Sequence, residues 1–393
     1  MTEIDRRSLL AGGALLAIGA AAGPEAGVRA QLDEAAKLPP TERLAALRGI
    51  DPKGLPRGTR LDVAAAVRGA DLEARIAAAP TAATRYPLQL QLNAGWDISP
   101  TNAHLRGLGM VRKLAARADE LLRRQGLTNG GVPERLRNLA GDPRYLYSDD
   151  DAGKDRAVAD MNRWLAAAQG KLGILFASVP ADAYSAKIVS MTPIEDASGK
   201  TGYRTLPSGG DHGTYHVDLH RIRLRPNWSL PSVVHHETIP GHLIQLPMQA
   251  KADPHPLRLK AAPGFVEGWA IYAEQLAAEA GAYTTDPLAE IGYLQWMLFR
   301  LGRLLIDTGT NHLGWPRDQA LAFLRECQGD PVIFAPFEKD VDRAVAEPGM
   351  LAGQALTWLG IVDLRADRTC GAQLHLFHDR LLVDGAVPLA LLT

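Results

Sequence analysis

The sequence predicts a mainly α-helical fold that contains one small strand or hairpin element. Over most of the 393 residues, apolar side chains recur three or four positions apart, which is the spacing of one helix face. Residues 203–224 differ, because glycines and a proline precede an alternating stretch of β-favouring residues. No internal repeat or low-complexity linker interrupts residues 31–393, so we treat them as one mostly helical unit.

The amino-acid composition limits the classes to which this protein can belong. The chain is 46% hydrophobic and 22% charged, as in ordinary soluble globular proteins. Its formal net charge is -1, and it has no basic stripe or clusters of aromatic residues with arginine. We therefore expect no nucleic-acid partner.

Residues 1–30 have the features of a twin-arginine signal peptide. Arg6 and Arg7 precede a weakly apolar run that ends in small residues. The run from Leu9 to Ala22 is shorter than the roughly 20 residues of a membrane-spanning helix, which argues against the alternative of an anchor. We expect export by the twin-arginine machinery, cleavage after Ala30, a periplasmic or secreted protein, and no stable membrane anchor once the signal is removed.

The two cysteines are too few for a disulfide scaffold. Cys327 and Cys370 lack CxxC spacing, so we interpret them as one bridge or two buried thiols and not as metal ligands.

The elements before the hairpin are mostly predicted helices. Residues 31–82 contain short helices between turns, and residues 102–125 and 152–175 have strongly helical patterns. "YPLQLQL" at 86–92 alternates and predicts a short strand, with a helical continuation as the alternative. The acidic triplet Asp149–Asp151 lacks the rest of a calcium loop, so we interpret it as a helix N-cap.

The chemical motif is "HETIPGH", residues 236–242. An HExxH helix places two histidines four residues apart on one face, but position 240 is a proline. Pro240 cannot donate to the carbonyl of His236, and Gly241 adds backbone freedom, so the helix must break there. The break allows His242 to turn towards His236, and Glu237 would be the general base.

A helix predicted between Pro263 and Gly281 offers the third ligand. Glu267 and Glu274 lie seven residues apart and share a face, while Phe265, Trp269, Tyr272 and Leu276 form the opposite apolar stripe. A zinc hydrolase site needs about three protein ligands and an open position for water. We predict one Zn²⁺ ion bound by His236, His242 and Glu267, with Glu274 as the second choice of carboxylate.

Five phrases of the sequence resemble one bacterial family. They are "HETIPGHLIQ", "EGWAIYAE", "RLLIDTGTNHLGW", "GQALTWLG" and "FHDRLLVDGAVPLALL". Together they resemble the family catalogued as domain of unknown function 885, which is grouped with gluzincin-type metallopeptidases. The resemblance covers the chain from about Tyr86 to its last residue, so 31–85 is a short N-terminal helical segment and 86–393 the metallopeptidase-like catalytic domain.

The resemblance implies a mainly helical, gluzincin-like fold and zinc-dependent hydrolysis of peptides. It implies that His236, His242 and Glu267 bind the metal and that Glu237 activates water. The chain departs from the family at three places: a long helical segment before "YPLQLQL" is missing, Ala344 follows Arg343 where the family has tyrosine, and Trp358 replaces a second tyrosine.

Several other polar residues are candidates for substrate binding or for support of the metal ligands. Tyr215 and His216 either line the cleft or belong to a surface strand. Asp307 either orients His312 or caps a helix end. Further candidates, each with a purely structural alternative, are Arg300 and Arg303, which could meet a substrate carboxylate, and His235, which we interpret as a bystander.

The sequence is compatible with two functions. The first is an exported zinc-dependent peptidase or amide hydrolase, in which residues 214–222 hold a small peptide or amide substrate extended through main-chain hydrogen bonds. The second is a periplasmic binding or scaffold protein derived from such an enzyme. The missing segment and the absent tyrosine favour the second.

Overall fold

Helices dominate the described part of the chain, which comprises residues 23–329, 337–368 and 373–392 of a computed structural model. One three-stranded sheet accompanies them, so the predicted mainly α fold class is confirmed. Most of the predicted signal segment lies outside the described residues. The first helix, α1 (Pro24–Ala36), runs through the predicted cleavage point, and its Val28 is buried, so the structured part begins before residue 31.

Three helices form a separate small hydrophobic cluster at the N-terminal side. They are α1, α2 (Pro40–Arg48) and α3 (Arg57–Ala78). Leu32, Leu47 and Val63 meet in this cluster, and Leu257 from a later helix joins it. The N-terminal segment is therefore packed against the body of the protein.

The predicted strand at 86–92 is wrong, because these residues belong to helix α4 (Ala82–Ala94). Thr81 and Thr84 form a capping box at its start, and Gly95 ends it in the left-handed region with φ of 76°. Tyr86 and Leu90 lie four residues apart and both are buried. Packing of this face outweighs the local alternation that suggested a strand.

The helices predicted at 102–125 and 152–175 are confirmed as α5 (Pro100–Arg124) and as α7 (Asp151–Gln169) with the single turn α8 (Leu172–Leu175). Between them lies a further helix that was not predicted, α6 (Val132–Ala140). Asp150 accepts a hydrogen bond from the backbone N–H of Gly153 at 2.7 Å, which confirms the N-cap interpretation of the acidic triplet.

The small sheet contains the predicted hairpin and one strand that the sequence did not reveal. β1 (Lys187–Ser190) is followed by the short helix α9 (Pro193–Ala197), then by β2 (Tyr203–Thr205) and β3 (Thr214–Val217). β3 lies in the middle, parallel to β1 and antiparallel to β2. Both of its edges are thus paired along Thr214–Val217, which leaves no free strand edge in that stretch for the predicted main-chain binding of substrate.

The remaining helices form the body that carries the motif residues. They are α10 (Leu230–Glu237), α11 (His242–Ala252), α12 (Pro256–Lys260), α13 (Phe265–Glu279), α14 (Pro287–Leu313), α15 (Arg317–Gln328), α16 (Phe337–Ala346), α17 (Met350–Arg368) and α18 (Leu374–Leu382). α14, of 27 residues, packs against α5, α10 and α17. α13 lies between α10 and α17, and its predicted apolar stripe is buried.

Two further predictions concern membrane-spanning helices and the two cysteines. Among the described residues, no helix combines the length and the apolarity that crossing a membrane requires. Cys327 is buried on α15, whereas Cys370 lies outside the described residues, together with any pairing between them.

Candidate metal centre

The helix breaks between the two histidines of the motif, as predicted. α10 ends at Glu237 and α11 begins at His242. A Cβ atom on Gly241 would lie 2.0 Å from the carbonyl oxygen of His236, so only glycine fits this close approach. The Trp269 indole donates to the carbonyl of Pro240 at 3.1 Å and ties the break to α13.

The break brings His236 and His242 to one point, and α13 adds Glu267. One ligand atom from each of the three lies within 4.8 Å of the others. His236 Nε2 is 3.5 Å from one Glu267 oxygen, and His242 Nε2 is 3.7 Å from the other. The two imidazole rings are 5.0 Å apart and nearly perpendicular. We call these three residues the metal-ligand cluster.

The donor atoms of the cluster fit a zinc ion. His242 is fully buried, and its Nε2 has no hydrogen-bond partner among the described residues. Such an atom is costly unless a ligand satisfies it. Burial, with Arg204 nearby, lowers the pKa of His242 to about 3, so the imidazole is neutral and its nitrogen can coordinate a metal.

Glu274, the second choice of ligand, supports His236 from behind. Its carboxylate accepts from His236 Nδ1 at 2.8 Å and from the Ser232 hydroxyl at 2.6 Å. Burial lowers the pKa of His236, but hydrogen bonds to Glu267 and Glu274 outweigh it and raise the value to about 9. A carboxylate on Nδ1 directs Nε2 towards the common point, which is the usual support of a metal-bound histidine.

Glu267 stays ionised within the cluster. Its burial would raise the pKa, but the hydrogen bond from His236 and the neighbouring His242 hold it well below the ordinary value. Two imidazoles and one carboxylate are a common ligand set of catalytic zinc.

The candidate base Glu237 lies at the end of α10, one residue after His236, and forms an ion pair with Arg204 of β2. Arg204 Nη1 donates to Glu237 Oε2. The ion pair engages Oε2, so Oε1 is the oxygen that could accept a proton.

A cavity of about 290 Å³ opens onto the cluster and Glu237. Its walls combine aromatic rings with charged side chains, many of them arginine. The lining includes Arg204, Tyr215, Arg225, Trp296, Phe299, Arg300, Arg303, Asp340 and Arg343. Two predicted substrate residues, Tyr215 and Arg303, therefore lie in its wall, and Arg303 is bound to Asp340 at 2.8 Å.

The predicted pairing of Asp307 with His312 is wrong. Asp307 is buried and accepts from the Tyr86 hydroxyl and from the backbone N–H groups of Gly349 and Ala352, at 2.9 to 3.0 Å. His312 instead meets Thr101 at 3.0 Å. Asp307 thus anchors the start of α17 against α4, and neither residue lines the cavity.

The other motif neighbours also have structural partners. His235 Nδ1 bonds the carbonyl of Ile239 at 3.0 Å, as expected of a bystander. His216 stacks on Tyr203 with ring centroids 4.3 Å apart. Trp358 donates to Gln275 at 2.6 Å.

Sequence reasoning missed three residues of the site. Arg204 is one of several arginines between residues 203 and 224, and no spacing rule links it to Glu237. Ser232 lies one helical turn before His236, so its contact with Glu274 could have been expected from the shared face. Gln245 follows His242 by three positions and meets its Nδ1 at 3.3 Å.

Comparisons with known proteins agree with this fold. A solved structure described as a candidate lipoprotein from Colwellia psychrerythraea is 27% identical, with a TM-score of 0.72, over 94% of this chain and 68% of that one. A second, a candidate lipoprotein of unknown function from Shewanella oneidensis, is 14% identical with a TM-score of 0.63, over 92% and 72% of the two chains. The latter shows a shared fold alone. No curated protein matches the chain.

The model of the bacterial protein family of unknown function DUF885 matches residues 22–393. The match starts well before Tyr86, so the N-terminal helices belong to it as well. The chain is a member of the DUF885 family.

Proposed function

We propose that this protein is an exported zinc-dependent hydrolase that cleaves peptide or amide bonds. The observation that carries the proposal is the metal-ligand cluster, in which a buried, unpartnered His242 nitrogen faces Glu267 and His236 beside a cavity. A gluzincin-like assignment accounts for the same residues, since it requires two histidines, a glutamate and an adjacent base.

His236, His242 and Glu267 would hold the ion. Zinc bound there would polarise a carbonyl and lower the pKa of a water molecule. Glu237 takes the proton of the attacking water on Oε1 and passes it to the leaving amine. Arg204 holds that carboxylate in place through Oε2, and Glu274 holds the His236 ring so that Nε2 faces the site.

Export is part of the proposal. The twin-arginine pattern lies mostly in residues outside the described ones, and it supports transport out of the cytoplasm. The protein of similar structure from Colwellia psychrerythraea is described as a candidate lipoprotein, which also favours an exported or envelope-associated protein. We infer a periplasmic or secreted location.

The test compares the wild type with Glu237→Gln. We expect about one zinc per chain in both proteins and turnover of a mixed peptide library by the wild type alone, because general acid–base catalysis contributes about 10²- to 10⁴-fold. Zinc is measured by mass spectrometry and cleavage by peptide analysis. Glu326→Gln, an exposed change on α15, is the matched control and should keep wild-type turnover.

One observation favours a second candidate, a protein that binds zinc and ligand without turnover. Arg204 occupies one oxygen of the only carboxylate adjacent to the histidines in the motif. If both proteins hold zinc and neither cleaves any peptide, the binding or scaffold function replaces the hydrolase.

A further inference from the structure

Arg300 lies in the wall of the cavity that His236 and Glu267 of the metal-ligand cluster also line. It projects from α14, and its side chain is 11% exposed. Its Nε is buried and has no hydrogen-bond partner among the described residues. A guanidinium that is taken out of water needs hydrogen-bond acceptors for its five N–H groups.

The neighbours of Arg300 do not supply those acceptors. Its Nη2 is 3.7 Å from a Glu274 oxygen, which is within ion-pair range but beyond a hydrogen bond. Its Nη2 is also 3.4 Å from His236 Nδ1. That nitrogen already donates its proton to Glu274 at 2.8 Å, so it has no lone pair for Arg300.

The other arginines of the cavity each have a carboxylate at hydrogen-bond distance, although the Nε of Arg303 likewise has no hydrogen-bond partner among the described residues. Arg204 pairs with Glu237, and Arg225 lies 3.3 Å from Asp218. Arg303 is 2.8 Å from Asp340, and Arg343 is 2.8 Å from Glu347. Among the described residues lining this cavity, Arg300 is thus the arginine with no carboxylate at hydrogen-bond distance.

Two aromatic rings hold the Arg300 guanidinium in place. Its central carbon is 5.3 Å from the centroid of Trp296 and 5.9 Å from that of Phe299. Trp296 is itself fixed, because its indole donates to the carbonyl of Ser229 at 3.1 Å. A preorganised planar fork of this kind suits a carboxylate, which it can bind through two parallel hydrogen bonds.

We propose that Arg300 binds the C-terminal carboxylate of a short peptide or N-acyl amino acid, so that cleavage takes place close to the C-terminus. The position of cleavage rests on the proposed hydrolase function. The carboxylate-binding site rests on the contacts of Arg300 alone. The cavity of about 290 Å³ has room for one or two residues, which places the end of the chain and its charge near the metal-ligand cluster.

Binding to Glu237→Gln protein tests this without turnover. The probes are N-acetyl-alanyl-alanine and its C-terminal amide, measured by calorimetry with zinc-loaded and with metal-free protein. Hydrogen bonds to a charged group predict that the acid binds about 10- to 100-fold more tightly than the amide. Adding Arg300→Gln should bring the ratio to about one, and Arg300→Lys should restore part of it, since lysine keeps the charge without the fork.

A control separates the effect of Arg300 from a general loss of positive charge. Arg317→Gln, an exposed change on α15 outside the cavity, should leave the acid-to-amide ratio unchanged. Thermal unfolding checks that each variant is folded, and Arg300→Lys serves if Arg300→Gln is not.

Four results would overturn the proposal. They are equal binding of acid and amide by the parent protein, no detectable binding of either at millimolar concentration, an acid preference that survives Arg300→Gln, and binding of N-acetyl-glutamyl-alaninamide as tight as that of the acid. Absence of zinc, or of cleavage by wild-type protein, would count against the hydrolase instead, since the acid-to-amide ratio of metal-free protein is still measurable.

Discussion

Two buried histidine clusters lie on different faces of helix α13. The metal-ligand cluster meets α13 at Glu267. The second, which we call the His378 cluster, comprises Tyr272, Arg365 and His378, and five residues separate Tyr272 from Glu267, a rotation of about 140° on a regular helix. His242 and His378 are both fully buried.

The clusters differ in whether their nitrogen atoms have partners. His378 Nε2 is 2.8 Å from the Tyr272 hydroxyl, and Nδ1 is 2.7 Å from the carbonyl of Leu175. Arg365 donates to the same hydroxyl at 3.0 Å. In contrast, His242 Nε2 has no hydrogen-bond partner in the described part of the chain and points to two other potential ligands. A saturated cluster stabilises the fold, whereas an unsaturated one beside a cavity indicates a ligand site.

The largest expected effect is on stability, in the saturated cluster. His378→Ala removes the acceptor of the Tyr272 O–H and the donor to the Leu175 carbonyl, at about 1–3 kcal/mol each, so we expect the free energy of unfolding to fall by about 2–6 kcal/mol. Urea unfolding measures the change, and zinc content should not alter. His375→Ala on the same helix is the control, with a change within about 0.5 kcal/mol. Loss of zinc in His378→Ala would contradict the separation of the clusters.

The pH dependence of stability is the next effect. Burial, with a contribution from Arg365, lowers the pKa of His378 to about 4, against about 6.5 in the unfolded chain. Between these values the unfolded state binds a proton that the folded state does not, so the contribution of His378 is present above pH 6.5 and is lost as pH falls to 4. The loss is about 3 kcal/mol.

His378→Gln isolates this contribution. In metal-free buffer, the stability difference between wild type and His378→Gln should shift by about 3 kcal/mol against the wild type from pH 7 to pH 4. His242 is present in both proteins, so its own titration cancels in the stability difference between them. A difference that is constant with pH, or that shifts in favour of the wild type on acidification, would show that His378 is not held neutral.

Zinc should stabilise the protein through the unsaturated cluster. At a free zinc concentration 100 times the dissociation constant, the folded state gains about 2.7 kcal/mol. His242→Ala should lose this gain, and His378→Gln should keep it. Unfolding in the presence of zinc or a chelator measures both, and an equal zinc response in His242→Ala and wild type would remove His242 from the ligand set.

The smallest expected effect concerns the support of the ligands. Glu274→Gln removes the charge that holds His236 Nδ1, and such changes weaken metal binding about 10- to 100-fold. Competition with a coloured chelator measures the affinity. Glu279 on the same helix pairs with Arg365 and not with His236, so Glu279→Gln should leave the zinc affinity unchanged. A larger loss in Glu279→Gln than in Glu274→Gln would contradict the assignment.

Local rules predicted much of the fold. Long amphipathic helices such as α5 and α13 follow from apolar spacing alone, since one face must be buried. The strand predicted at 86–92 failed because a short alternating stretch fits either structure, and contact of Tyr86 and Leu90 with the body decided it. β1 is four residues long and is held by pairing with β3, a contact distant in sequence.

The candidate metal centre also combines features that follow from the local sequence with features that depend on packing. The sequence by itself determined the break between His236 and His242, because proline lacks an N–H and only glycine fits beside the His236 carbonyl. It also placed Glu267 and Glu274 on one helix face. Only the tertiary structure decided that Glu267 meets the Nε2 atoms while Glu274 meets Nδ1, and that Arg300 lines the cavity with no carboxylate of the described residues at hydrogen-bond distance. These choices depend on how α10, α13 and α14 pack against one another, which no spacing within a single helix specifies.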